Sequence, residues 1–307
     1  DLEGANLSNT ALSTAELKDV HAIALDACPD ALPEGWQCIN ACLVGPAADL
    51  SSADLSGADL SGLDLTEAIL TGANLASAIL TGADLSEVAL SGAILLGLTS
   101  GAIVGTPSSL PSQWVLTQGY LVGPGADLTG ADLQEADLTT TFGIGLAGCP
   151  AVLPDGWVCA KNNLAGPGAN LAGADLADAD LSGLDLSNAD MTDANISGAV
   201  LDGADLYKVE MTGANLVAAS LTGAELYKAG LSGADMTGAD LSQADLSQAD
   251  LTNATMADAT LEGATLTGAD MTGADLAGAT LADVTWNDTT CPDGSNSDDV
   301  GSTCANN

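Results

Sequence analysis

Ala174-Asp175-Leu176-Ala177-Asp178 is the five-residue phrase that decides the fold of this chain. Variants of it fill residues 170–286, where Leu, Met or Ile returns at every fifth position from Leu171 to Leu281 and Trp286 takes the last such position. A period of five matches neither the 3.6-residue period of a helix nor the alternation of a single strand. Gly and Asp recur throughout, and both are poor helix formers. The phrase therefore predicts a chain that turns every five residues.

Each block also predicts which side chains face inward. Ala and Leu stand two residues apart, so both point to the same side of a short extended segment, while the Asp between them points away. A Gly, Asn or Asp follows, and these residues tolerate the unusual backbone angles of a turn. One such coil cannot bury its leucines alone, but stacked coils can. We therefore expect a solenoid with leucine and alanine in its core.

The blocks at 58–62, Ala-Asp-Leu-Ser-Gly, and at 239–243, Ala-Asp-Leu-Ser-Gln, resemble the pentapeptide-repeat family. This resemblance implies an all-β fold, a right-handed quadrilateral parallel β-helix with four blocks, or twenty residues, in each coil. Repeat positions run from Leu2 to Leu17, Leu50 to Leu95, Leu128 to Leu138 and Leu171 to Trp286, which gives 41 blocks. We predict one β-helix over residues 1–286, of roughly ten coils and about 50 Å, and a C-terminal cap over 287–307.

Three interruptions of equal length separate these runs, at residues 18–49, 96–127 and 139–170. Each sets the flanking leucines 33 residues apart, and the three align without gaps around Trp36, Trp114 and Trp157. Loops of this length are usually functional or have a structure of their own. We predict three loop modules. They are either decorated turns packed on the solenoid or an aligned binding, adhesive or assembly surface.

The cysteines indicate disulfides and an oxidising compartment. Two modules carry a Cys pair, Cys28 with Cys38 and Cys149 with Cys159, and the third has Thr106 and Leu116 in those places. Because both members of the pair are lost together, each pair is predicted to be a disulfide, and Cys291 with Cys304 is predicted to close the tail. Disulfides persist in oxidising compartments, so we expect a secreted or cell-surface protein.

Cys42 is the seventh and unmatched cysteine. It is either a sheltered thiol or an intermolecular link. Zinc is disfavoured as the reason for the cysteines, because their spacing lacks paired Cys-x-x-Cys motifs and the chain has a single histidine, His21.

The chain has 42 acidic residues, four lysines and no arginine, for a formal charge of −38. Few cations are available to neutralise phosphates, so nucleic acid and anionic membranes are excluded as partners. Twenty residues per coil would stack Asp185, Asp205, Glu225 and Asp245 in one column, which we call the acidic column. These carboxylates are either screened by solvent and salt or bound to Ca²⁺, which prefers oxygen ligands. Asp293, Asp298 and Asp299 of the tail have a spacing typical of a calcium loop and form a second candidate.

Nothing in the composition points to an enzyme. One histidine and no arginine leave few pairings of a nucleophile with a base, and no substrate is identified. No run of 18 apolar residues predicts a membrane span. The leading hypothesis is a non-catalytic secreted structural or binding scaffold that associates end to end with itself or binds another protein. One alternative follows from the resemblance, since some members of the family imitate DNA and bind gyrase. A calcium-binding or adhesive surface protein is the other.

Overall fold

The architecture described here is that of a computed structural model, and it covers residues 1–299 and 303–304. The described residues contain short strands, bridges and turns and no helix. They form two compact units: Asp1–Asp137 with Leu146–Leu153, and Leu138–Gly145 with the residues from Pro154 onward. Residues 300–302 and 305–307 of the predicted C-terminal cap lie outside the described residues.

Successive coils pair in parallel at a spacing of twenty residues. In the second unit, Asp185 bridges Asp205, Asp205 bridges Glu225 and Glu225 bridges Asp245. The Leu226 N–H donates to the Asp245 carbonyl at 2.7 Å, and the Ala229 N–H closes the turn onto the Leu226 carbonyl at 3.0 Å. Each block is therefore bonded both to the next coil and to itself, and four blocks make one coil.

The core consists of the repeated apolar pair. Leu226 is fully buried and Ala224 nearly so, and the same holds for Leu, Met and Ala along the second unit. In the first unit a column of leucines from Leu50 to Leu98 is buried in the same way. Turn positions need a positive φ, which is 66° at Gly223 and 61° at Lys228. This requirement explains the recurrence of Gly, Asn and Asp there, because they adopt such angles at least cost.

Six strands lie outside the repeat and form three antiparallel hairpins. They are β1 (Gln37–Ile39) with β2 (Cys42–Val44), β3 (Val115–Thr117) with β4 (Tyr120–Val122), and β5 (Val158–Ala160) with β6 (Asn163–Ala165). The registers are equivalent, with Cys38 opposite Leu43, Leu116 opposite Leu121 and Cys159 opposite Leu164. In the first turn Asn40 and Ala41 both have positive φ, 48° and 59°. Two-residue hairpin loops favour this geometry because its twist matches that of the strands.

The hairpins change the interpretation of the three interruptions. Residues 18–49 are not a separate loop module, because Ala27 and Ala31 still bridge Asn6 and Ala11 of the preceding coil. His21 then bridges Asp49, which lies twenty-eight residues further along the chain instead of the usual twenty. The eight additional residues equal the length of the hairpin Gln37–Val44. Thr99 and Asp127 enclose the second hairpin in the same way. Each interruption is thus largely a coil with altered sequence into which one hairpin is inserted.

The buried column predicts the cost of a cavity. Leu261→Ala removes a fully buried side chain, and we expect it to lower the free energy of unfolding by about 2–5 kcal/mol. The neighbouring exposed residue supplies the control, Glu262→Ala, which should change stability by less than about 0.5 kcal/mol. Urea unfolding of both variants measures the difference, and equal stabilities would contradict the assignment of Leu261 to the core.

Candidate functional site

Each hairpin is anchored by a tryptophan that lies on a glycine of the same segment. A Cβ built on Gly45 would meet the Trp36 ring at 2.5 Å, one on Gly123 would meet Trp114 at 2.3 Å, and one on Gly166 would meet Trp157 at 2.5 Å. Each Trp is half-buried. This contact explains why each hairpin is followed by a glycine, since only glycine leaves room for the ring. The three predicted surface tryptophans are largely packed against their own hairpins.

Polar contacts tie the hairpin ends to the coil that follows. Asn40 Nδ2 donates to the Ser56 carbonyl at 3.0 Å, and Gln118 Nε2 donates to the Glu135 carbonyl at 3.3 Å. In the third hairpin Asn163 Nδ2 donates to the Asp175 carbonyl at 2.9 Å. The hairpins are thus held against the solenoid, as the decorated-turn interpretation predicts.

The cysteines are bonded as the comparison of the three segments predicts. Cys28 is joined to Cys38 with their Cα atoms 6.1 Å apart, and Cys291 to Cys304 at 5.2 Å. Cys149 and Cys159 are disulfide-bonded as well. Cys42 is free and buried, its Sγ lies 3.4 Å from the Asn40 carbonyl, and burial raises the pKa of its thiol. This environment favours a sheltered thiol over an intermolecular link.

Most outward aspartates bind their own backbone. In the acidic column, the Oδ1 atoms of Asp185, Asp205 and Asp245 each accept the N–H two residues on, at 2.9 Å. A carboxylate that accepts such a bond stabilises the turn by the same geometry as a backbone turn. At Asp84 the Ser86 hydroxyl adds a second bond, at 2.6 Å. The side chain and backbone N–H of Ser86 together hold the pKa of Asp84 below its ordinary value.

The predicted calcium ligands are not gathered into one cluster. Asp293 Oδ1 accepts from Ser295, and Asp298 Oδ1 accepts the Asp288 N–H at 3.2 Å. Among the described residues, the one group of three metal-binding side chains within 4.8 Å is Asp1, Glu3 and His21, which was not predicted. A calcium site at the acidic column or at Asp293, Asp298 and Asp299 stays a prediction.

His21 is the single imidazole of the chain. Its Nδ1 lies 3.5 Å from Asp49 Oδ2, and its side chain is mostly buried in the first unit. Asp49 Oδ1 is already bonded to the hydroxyl of Ser51 at 2.6 Å, which lowers the pKa of Asp49. The Ser51 hydroxyl is bonded to Asp49 and not to His21. The pair is a contact between neighbouring coils.

One surface feature was missed by the sequence analysis. Tyr207-Lys208 and Tyr227-Lys228 are identical dipeptides twenty residues apart, and the coil places their rings 5.9 Å apart. The recurrence at exactly one coil length is the signal that could have revealed them. Their position directly after the acidic column gives the second unit a surface with both charges.

The family comparison agrees with the repeat. The pentapeptide repeat model matches eight copies within residues 48–97, 169–243 and 244–283, more than half of the chain. The chain belongs to the pentapeptide repeat family. Membership implies a right-handed β-helix, and the described residues are all-β. They contain no helix long and apolar enough to cross a membrane.

Solved structures of the same family resemble the chain in sequence. HetL from the cyanobacterium Nostoc sp. strain PCC 7120, a protein involved in heterocyst differentiation regulation, is 30% identical over 81% of this chain and 91% of that protein, with a TM-score of 0.31. Rfr23 from the cyanobacterium Cyanothece 51142 is 35% identical over 31% of this chain and 58% of that protein, with a TM-score of 0.19.

Full-length QnrB1, a plasmid-mediated fluoroquinolone resistance protein, is 18% identical over 74% of this chain and 90% of that protein, with a TM-score of 0.24. At these TM-scores the structural overlap supports no inference about a shared activity. No curated protein matches the sequence significantly.

The contact between Trp114 and Gly123 predicts an energetic coupling. Gly123→Ala places a methyl group where the ring lies, and we expect a loss of about 1–3 kcal/mol in the free energy of unfolding. In a Trp114→Ala background the same change should cost little, because the clash is gone. A double-mutant cycle by guanidinium unfolding measures the coupling, and strictly additive effects would show that the two residues do not touch.

The serine bond to Asp84 predicts a pKa change. Ser86→Ala should raise the pKa of Asp84 toward its ordinary value, and carboxyl ¹³C NMR reports it. Ser91→Ala is the matched control, since Ala89 stands where an aspartate would be.

The sign of the stability effect follows from the lowered folded-state pKa. The native state binds fewer protons than the unfolded state, so the stabilisation is present above the unfolded pKa and lost as pH falls through the folded value. The stability difference between wild type and Ser86→Ala should therefore shrink below about pH 4. A difference that grows in acid would contradict this account.

Proposed function

We propose that the chain is a non-catalytic structural or binding scaffold that works in an oxidising compartment. The observation that carries this proposal is that the outward polar side chains of the chain are engaged in stabilising its own turns. The outward aspartates bind backbone N–H groups of their own turns, and the leucine columns fill the interior of both units. In this proposal the outward side chains build an acidic surface around an apolar core.

The disulfides support the compartment. Cys28–Cys38 spans the approach to the first hairpin, and Cys291–Cys304 closes the C-terminal segment against the last coil, where Trp286 is buried. A disulfide stabilises mainly by restricting the unfolded chain, by about 2–4 kcal/mol. Such bonds persist in secreted proteins and are rare in the cytosol, which supports a secreted or cell-surface location.

Peptide mapping tests this part of the proposal. Protein purified from its native source without reductant and blocked with a thiol reagent should release peptides linked at Cys28–Cys38 and Cys291–Cys304, with Cys42 modified only after unfolding. Recovery of free thiols at those four cysteines would overturn the oxidising compartment. Reduction should lower the unfolding midpoint in guanidinium, with Cys28→Ser/Cys38→Ser as the matched covalent control.

End-to-end association is a finer proposal that one observation favours. Leu276 and Leu281 of the last coil are partly exposed, whereas the equivalent Met256 and Leu261 one coil earlier are fully buried. The two leucines line a groove of the second unit together with Pro292 and Cys304. The Leu276 N–H also lacks a coil partner among the described residues. Exposed strand edges with apolar side chains favour pairing with another chain, and a second copy offers a coil of the same period.

Electron microscopy and light scattering test this association. Wild type should form rods longer than one molecule as concentration rises, and Leu276→Glu/Leu281→Glu should abolish them. Leu96→Glu, at an exposed leucine of the first unit, is the control and should leave them unchanged. Single short rods at every concentration would overturn the proposal.

Gyrase binding remains the alternative raised by the family resemblance. Disulfides argue for a compartment in which gyrase is absent, so we do not favour it. A supercoiling assay with the purified protein separates the two functions, because a scaffold of this kind should leave gyrase activity unchanged at a large molar excess.

A further inference from the structure

Two tyrosine–lysine pairs form a short ladder on one corner of the second unit. The rings of Tyr207 and Tyr227 are stacked with centroids 5.9 Å apart and an interplanar angle of 11°. Lys208 Nζ lies 5.0 Å from the centroid of Tyr207, and Lys228 Nζ lies 5.2 Å from that of Tyr227. The Tyr227 hydroxyl donates to Gln248 Oε1 at 3.0 Å. Stacking and cation–π contacts hold the four side chains in order.

These two lysines are half of the cations in a chain with a formal charge of −38. Lys18 is paired with Glu67 at 2.9 Å. By contrast, Lys208 and Lys228 are exposed, and in the described part of the chain neither has a carboxylate within 4 Å. Their ammonium groups lie over aromatic rings and remain accessible to an anion from outside.

The acidic column runs beside this ladder with the same repeat. Asp205 precedes Tyr207 by two residues and Glu225 precedes Tyr227 by two, and Asp185 and Asp245 extend the column by one coil on each side. The carboxylates and the lysines thus form two columns, and successive side chains in each are one coil, about 4.8 Å, apart. The tyrosines lie between the acidic column and the lysines. We call this surface the ladder face: Asp185, Asp205, Tyr207, Lys208, Glu225, Tyr227, Lys228 and Asp245.

We propose that the ladder face binds the same face of a second copy of this chain, side by side and parallel. A two-fold axis along the coil direction, placed at the tyrosines, brings Lys208 opposite Asp205 of the partner subunit and Lys228 opposite Glu225 of the partner subunit. The same operation brings the partner's lysines onto the acidic column of the first copy. Such a contact is isologous, since one patch is complementary to itself. The tyrosine edges meet at the centre, and tyrosine is enriched at interface cores.

Charge selects this arrangement over others. An antiparallel contact through the same face would place lysine against lysine and carboxylate against carboxylate, and like charges directly opposite destabilise. Repeat faces without lysine present carboxylates to one another. At about 0.15 M salt the screening length is about 8 Å, so distant charges contribute little while pairs in contact still attract. The association does not depend on the groove at Leu276.

Charge reversal tests the pairing. Sedimentation at about 0.15 M salt should show a concentration-dependent dimer of the full chain. Lys208→Glu/Lys228→Glu should weaken it by at least about tenfold, and so should Asp205→Lys/Glu225→Lys, because each reversal sets like charges opposite. An equimolar mixture of these two variants should form a heterodimer, since every pair across the axis is then opposite in sign again.

The control is Lys18→Glu/Lys161→Glu, which changes the net charge by the same amount away from the ladder face and should leave the dimer intact. A chain that stays monomeric, a control that weakens the dimer equally, or a mixture that fails to pair would each overturn the proposal. Dimers that persist in the ladder variants but vanish in Leu276→Glu/Leu281→Glu would assign the association to the last coil instead. Retention by an unrelated acidic protein without self-association would also overturn it.

Discussion

The bond from each leucine N–H to the carbonyl one coil on is the constraint on which the rest of this structure depends. Leu226 to Asp245 is one instance, at 2.7 Å. A buried backbone group without a partner is costly, so each coil must present its carbonyls at a spacing of twenty residues. Insertions are tolerated only where they satisfy their own hydrogen bonds. The three hairpins meet this condition, because six of the eight residues in each pair across the hairpin and the other two form its turn.

The repeated blocks could be predicted from the sequence because period and chemistry agree in them. Ala224 and Leu226 are buried and Glu225 is exposed, as the alternation requires. The hairpins could not be predicted, since Cys28-Pro29 and Leu32-Pro33 break the leucine pattern while Ala27 and Ala31 keep the coil pairing. A period read from leucines alone therefore overestimates each interruption. In the candidate site, the disulfides could be predicted by comparing the sequences of the three interruptions. The packing of each tryptophan on a glycine depends on spatial proximity that spacing does not report.

The acidity of the chain is compatible with folding because many of its outward carboxylates accept a backbone hydrogen bond. Stacked carboxylates such as Asp185 and Asp205 would repel across the coil spacing. Each of these two accepts an N–H two residues on, so its side chain also closes a turn. The same carboxylate thus supplies both the turn hydrogen bond and the negative charge. The resulting surface is negative wherever the repeat is regular, so any specific contact with an anionic surface needs a departure from the repeat.

Tyr207-Lys208 and Tyr227-Lys228 are that departure in the second unit. They occupy turn positions, where the repeat has mostly small or polar residues, and they do so in two consecutive coils. Lys228 accepts a φ of 61° that glycine adopts at lower cost, so stability of the turn does not explain its presence. Stacking two large rings also orders side chains that would otherwise be free. A surface with preorganised aromatic groups and two cations beside a matching acidic column has the composition of a contact between molecules, which is why charge pairing across a two-fold axis accounts for it better than the needs of the fold.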